Sequence, residues 1–173
     1  MKIPSKNSSS KVPDSKISGF IVSELPGFLF VDHIAIAVCA GELESQLKMY
    51  QQIGFRELYR EEIGGKDQVR EVLLQIGEGP NLIQLVEPLS VESPVQKQID
   101  RNGGHGGLVH IGFRVKSAQA AFDYLKAHDF RIIDAAPRPG SRGTTVFFIH
   151  PKSHQDTPFW VLYEVVEDPE DAR

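Results

Sequence analysis

The chain has a single cysteine, Cys39, among its 173 residues. No internal disulfide can form, so the fold must rest on packing and hydrogen bonds, and a reducing compartment suits it. The expected setting is cytoplasmic, with the mitochondrial matrix also compatible. No apolar run approaches the roughly 20 residues needed to cross a bilayer, so no membrane partner is expected. Positive charge is not in excess either: 19 Lys and Arg stand against 23 Asp and Glu, a net charge of −4. That balance gives no general attraction for nucleic acid, and a phosphate-bearing ligand would need a local basic patch. The first 19 or so residues lack both arginine and the apolar stretch of a secretory signal. Their Lys2, Lys6, Ser8, Ser9, Ser10, Lys11 and Lys16 read as a tail.

What is present is an ordinary globular composition, 40% hydrophobic and 24% charged, carrying a pattern that occurs twice. Val31 to Cys39 reads as a buried strand, and Gly41 to Ile53 as a helix with Leu43, Leu47 and Tyr50 on one face. Strands follow at Phe55 to Ile63, Gln68 to Ile76 and Asn81 to Glu87, separated by glycine-rich turns. A short helix, Pro94 to Arg101, begins with proline where that residue is tolerated. After Gly103-Gly104-His105-Gly106-Gly107 the pattern restarts. It gives a strand at Leu108 to Val115, a helix capped by Ser117, and strands at Phe130 to Asp134, Thr144 to His150 and Phe159 to Val166. The reading is α+β: two tandem βαβββ modules forming a curved, half-open sheet around a metal-binding cleft. The expected organisation is an N-terminal extension over 1–29, a domain over 30–167 with modules at about 30–102 and 108–167, and an acidic tail over 168–173. Half-open sheets leave edges to cover, so a homodimer is expected.

The duplication brings chemistry with it. His33 and His110 sit near the starts of the two equivalent strands, 77 positions apart. Gln84 follows His33 by 51 positions and Glu164 follows His110 by 54, each on a later strand of its own module. Two imidazoles, an amide oxygen and a carboxylate suit Co²⁺, Mn²⁺, Ni²⁺, Fe²⁺ or Zn²⁺ rather than thiolate-seeking ions. On an octahedral ion they leave two positions for two oxygens of one substrate. An ion gripping two such oxygens acidifies the C–H bond between them.

The segments Val31-Asp32-His33-Ile34-Ala35-Ile36-Ala37-Val38, Ile83-Gln84-Leu85-Val86-Glu87-Pro88-Leu89, Gly106-Gly107-Leu108-Val109-His110-Ile111 and Phe148-Ile149-His150-Pro151-Lys152-Ser153 carry a family resemblance. The chain resembles the vicinal oxygen chelate (glyoxalase-like) superfamily, and within it the methylmalonyl-CoA epimerases, over about Phe30 to Glu167. The resemblance implies His33, Gln84, His110 and Glu164 as metal ligands, and Glu71 and Glu164 as the acid/base pair. It implies a metal-dependent epimerase of 2-methylmalonyl-CoA or a similar 2-substituted malonyl thioester. One carboxylate would take the α-proton from one face and the other would return a proton to the opposite face, through a metal-stabilised enolate. The partner is then a small-molecule acyl-CoA or acyl-carrier thioester. The chain departs from the family in Val109, which stands where a second histidine is common, and in a longer segment over 153–160.

Two other readings share the fold: another glyoxalase-like isomerase or tailoring enzyme acting on a thioester, and a non-enzymatic small-molecule binder. Each residue also has a plainer reading. Either histidine alone suits a packed core, Gln84 can bond a neighbour, and Glu71 can pair with Arg70 or Lys66 on a surface. His105 reads as solvated and His150 and Lys152 as turn residues. Arg138, Arg142 and Lys152 read either as contacts for CoA phosphates or as a solvated surface, and Phe159 and Trp160 as core or interface.

Overall fold

The computed structural model describes residues 25–153 and 158–170. Residues 1–24 of the N-terminal extension, 154–157 of the long segment and 171–173 of the tail lie outside the described residues. The first module runs β1 (Phe28–Ala37), α1 (Leu43–Gln52), β2 (Arg56–Ile63), β3 (Val69–Gln75) and β4 (Leu82–Pro88). Helix α2 (Pro94–Arg101) leads to the second, with β5 (Gly107–Val115), α3 (Ala118–Ala127), a two-residue β6 (Arg138–Pro139), β7 (Thr145–Ile149) and β8 (Leu162–Glu167). All eight strands form one sheet in the order β2-β3-β4-β1-β5-β8-β7-β6. Reading outward from the central pair, each module repeats the other: β1 lies parallel to β4, and β5 lies parallel to β8. The result is a curled half-barrel.

The register explains why the repeat builds one site. β1 and β5 are antiparallel, and His33 faces Gly112 while His110 faces Ala35. One strand further out, Gln84 pairs with Ala35 and Glu164 pairs with Gly112. Residues side by side in neighbouring strands share a face, as do residues two apart along a strand. His33, Ala35, His110, Gly112, Gln84 and Glu164 therefore occupy one face near the pseudo-twofold axis. Beside the site the pairing skips Asp32, between Val31 and His33, and Val109, between His110 and Leu108; a third skip, at Leu29, lies near the start of β1. Such bulges re-aim the side chains beside them.

Helices close the layers. On the back of the first module α1 buries Leu43 and Leu47 against Val72, Leu74 and Leu85. On the back of the second, α3 buries Ala118, Ala121, Phe122 and Leu125 against Phe147 and Val165. Helix α2 packs Val95 and Ile99 against Ala35, Ala37 and Val86 beside the site strands. Ser93 caps α2 and Ser117 caps α3, each accepting a first-turn N–H through its hydroxyl. The ends of β4 and β8 add a matching pair of contacts. Glu87 accepts the Leu43 N–H of α1 at 3.1 Å, and Glu167 accepts the Ala118 N–H of α3 at 2.6 Å. A carboxylate at a helix N-terminus satisfies an orphan donor and complements the helix dipole.

The second module departs from the sequence reading at its edge. Phe130 to Asp134 is not a strand; it makes a single bridge, Ile132 to Ile149. The Asp134 carboxylate takes the Phe148 N–H and binds Arg138, which spends the segment's end on side-chain contacts. Pro137 and Pro139 then leave a ladder of two residues. β8 begins at Leu162 rather than Phe159, because Trp160 has a left-handed backbone, φ 63°.

Candidate metal centre

The Nε2 atoms of His33 and His110 lie 2.8 Å apart, and Glu164 Oε2 is 3.1 Å from the first and 3.4 Å from the second. Bare lone pairs do not sit at such distances without a proton or a cation between them. The three separations approximate the edge, about 3 Å, of a coordination shell built on bonds of about 2.1 Å. Among the described residues these are the His, Cys, Asp or Glu side chains grouped so as to hold a metal ion.

Gln84 and Glu71 flank this group on the first-module side. Gln84 Nε2 donates to Glu71 Oε2 at 2.7 Å. That single bond leaves Gln84 Oε1 and Glu71 Oε1 both buried and without partners. Buried polar atoms of native proteins are nearly always satisfied, so two adjacent orphan acceptors call for a cation or a donor that binds there. An oxygen acceptor is the kind of atom a hard divalent ion requires, and the donor set fits such an ion. Glu71 is neither exposed nor paired with Arg70 or Lys66. It is 3% exposed, whereas Arg70 reaches Glu62 and Glu87 instead.

Electrostatics set the protonation states. Burial pushes the Glu71 carboxyl above its ordinary range, and the Glu164 charge adds to this, with Ser141 and His33 pulling the other way. Burial also acts on Glu164, but its bonds with His110 and His33 outweigh burial and hold it far below the ordinary carboxylate range. Burial lowers His110. His33 is pushed up to about 9, because Asp32 and Glu164 overcome the burial that disfavours its charge. Two carboxylates thus sit in one site with opposite tendencies, one inclined to hold a proton and one fully ionised. Acid/base sites use this arrangement.

Four further residues support the group; of these the sequence reading singled out only Arg142, as a contact for CoA phosphates or a solvated surface residue. Asp32 is fully buried and accepts the His33 Nδ1 proton at 2.8 Å. Arg114 and Arg142 both bind the same carboxylate. The visible signal was one acid and one base, Asp32 and Arg114, in two otherwise apolar strands. The fourth is Gly112, where a Cβ would meet the His33 ring at 2.5 Å. The remaining candidates stand apart. His105 is exposed and lines an open hollow of about 380 Å³ with Arg101 and Asn102. Arg138 pairs with Asp134 and Asp67, and Lys152 is exposed. Phe159 stacks on Phe130, and Trp160 is 74% exposed.

The Glyoxalase/Bleomycin resistance protein/Dioxygenase superfamily matches residues 32–148, which begin just before His33. The chain belongs to this superfamily. It is 30% identical over 139 residues to the mitochondrial methylmalonyl-CoA epimerase of Dictyostelium discoideum, covering 80% of each chain. Its fold is similar to that of methylmalonyl-CoA epimerase from Mycobacterium tuberculosis, with TM-score 0.74, 28% identity and coverage of 87% of this chain and 95% of that one. A variant of the Streptomyces coelicolor methylmalonyl-CoA epimerase, solved in complex with 2-nitronate-propionyl-CoA, gives TM-score 0.71 and 29% identity over 82% and 99%. No helix among the described residues is long and apolar enough to cross a membrane.

Proposed function

We propose that this protein is an epimerase of 2-methylmalonyl-CoA or a similar 2-substituted malonyl thioester, dependent on a divalent metal ion. The observation that carries the reading is the juxtaposition of Glu71 and Gln84, each with a buried free oxygen, beside His33, His110 and Glu164. The epimerase relatives and their acyl-CoA ligand support it from outside the chain.

His33, His110, Glu164 and Gln84 are the residues that would hold the ion, with Co²⁺ the first choice. When bound, it supplies Lewis-acid stabilisation for the negative charge that develops as a proton leaves the carbon between two carbonyl groups. The rest of the chemistry belongs to the side chains. Epimerisation needs one group to remove the α-proton on one face and another to return a proton on the other. Glu71 stands on β3 and Glu164 on β8, on opposite sides of the central β1–β5 pair. Glu71 holds or takes the proton at its free Oε1, and the Gln84 amide fixes the carboxylate by binding Oε2. Its raised proton affinity suits a group that must both accept and release a proton near neutral pH. Glu164 is the second carboxylate, supported by the two histidines. Glu71 is buried and lies across from Val86, which belongs to the apolar layer under α2.

The test is stereochemical. One epimer of methylmalonyl-CoA is incubated with Co²⁺-loaded protein and the two epimers are then resolved. Conversion to an equal mixture, stopped by a chelator and restored by Co²⁺, is expected. An unchanged epimer in the presence of metal-loaded, folded protein would show the reading to be wrong.

A further inference from the structure

His33 and His110 are copies of one another, but the residues before them are not. Both preceding positions fall at the bulges of the β1–β5 pair, and the bulge residue is Asp32 in the first module and Val109 in the second. Asp32 gathers three groups. His33 Nδ1 and Arg142 Nη2 both bind its Oδ2, at 2.8 and 3.2 Å, and Arg114 Nε binds its Oδ1 at 2.9 Å. Both arginines come from the second module, while the histidine they act on belongs to the first.

Arg114 lies on β5 and is also paired with Asp168 at 2.7 Å. Arg142 is different. It sits in the turn Ser141–Gly143 between β6 and β7, with φ 57° and ψ 19°. This is the left-handed region, where a side chain is strained and glycine is not. Its side chain is nevertheless only 19% exposed. The arginine is thus held against backbone preference with its guanidinium turned inward onto a buried carboxylate. Strain of this kind persists where the surrounding contacts use it.

We propose that Arg142 is a positioning residue for the metal centre: it fixes the oxygen of Asp32 that orients His33. The proposal rests on reading His33 as a metal ligand through Nε2. Such a histidine must carry its proton on Nδ1, and the acceptor of that proton sets both tautomer and ring orientation. Arg114 grips the other oxygen, so Arg142 is the contact that fixes Oδ2 itself. It also ties a loop of one module to a ligand of the other, so the centre is complete only when both are docked. Val109 gives His110 no such carboxylate.

The experiment is a Co²⁺ titration of the metal-stripped full chain, in the wild type, R142G and R142K, with thermal melts of each stripped protein. R142G removes the side chain and relieves the left-handed strain. It is expected to melt at the wild-type temperature or above, yet to bind Co²⁺ about 10- to 100-fold more weakly. R142K keeps the charge and is expected to recover part of that affinity. Wild-type affinity in R142G would overturn the proposal. So would a joint fall in melting temperature and affinity that R142K does not correct, because that pattern belongs to loop packing. Failure of the wild type to bind Co²⁺ would instead overturn the metal reading beneath it.

Discussion

Gly112 stands across from His33 in the β1–β5 pair, and a Cβ on Gly112 would lie 2.5 Å from Cε1 of the imidazole. The ring of one module's ligand occupies the space that a side chain from the other module would need. Substituting Gly112 by alanine must move the ring or the strand. The expected cost is about 1–3 kcal/mol of stability, the range for overpacking a dense core, with Co²⁺ affinity lowered at least about tenfold. Melting curves and a metal titration of G112A check both. Wild-type affinity in G112A would mean that the ring has freedom to move and that its position is not set by this contact.

Glu71 separates chemistry from metal binding. E71Q keeps a partner for Gln84 and removes the proton acceptor. Turnover is expected to fall about 10²- to 10⁴-fold, the usual worth of a general acid or base, with Co²⁺ affinity unchanged. The same variant gives a stability test. Burial raises the Glu71 pKa above its ordinary 4.5. The unfolded chain therefore ionises more readily, and the fold loses stability as pH rises from 4.5 through the raised value. E71Q removes that penalty, so it is expected to melt higher than wild type at neutral pH, with the difference closing as pH falls toward 4.5. Equal melting at every pH would place Glu71 in a solvated environment.

His33 sets the pH dependence of metal binding. Its pKa of about 9 in the metal-free protein means that it carries a proton at neutral pH, which a metal must displace. Co²⁺ affinity is expected to rise with pH throughout the range below 9 and to level off near 9. The stability of the metal-free protein should run the other way. A histidine raised from 6.5 contributes fully below 6.5, and the contribution is lost as pH rises through 9. Calorimetry in buffers of different ionisation heat counts the released proton. No proton release at pH 7.5 would contradict a protonated His33.

Much of the centre was legible because the repeat is written in the sequence. The strand segments at His33 and His110 lie in phase, and a Gln and a Glu follow at similar intervals, so two βαβββ modules with one shared site are legible in the sequence. The edge of the second module could not. Phe130 to Asp134 has an apolar strand pattern, but Asp134 spends its carboxylate on Phe148 N–H and Arg138, a long-range choice that periodicity does not record. The supports of His33 were hidden for a similar reason. Asp32 adjoins His33 in sequence, yet its partners Arg114 and Arg142 lie 82 and 110 positions away. Only the bulge and the loop crossing bring them together.

Asp32 is the test of that network as a structural element. Its hydrogen bonds and ion pairs with His33 and Arg114 outweigh its burial and lower its pKa to about 2. It therefore contributes stability above 3.8 that is lost as pH falls toward 2. D32N leaves two arginines around a neutral amide, and breaking a buried pair from one side typically costs about 3–5 kcal/mol. Urea unfolding of the metal-free variant measures this. A loss below about 1 kcal/mol would show the network to be dispensable for folding.

The central claim is that the two carboxylates act on one α-proton beside a bound divalent ion. Proton NMR of methylmalonyl-CoA in D₂O measures this directly, with metal-loaded, metal-stripped and E71Q protein compared. The loaded wild type is expected to exchange the α-proton of both epimers, and the stripped protein to exchange neither. E71Q is expected to exchange one epimer through Glu164 without inverting it. An α-proton left untouched by the loaded wild type, or equal exchange with and without metal, would contradict the account.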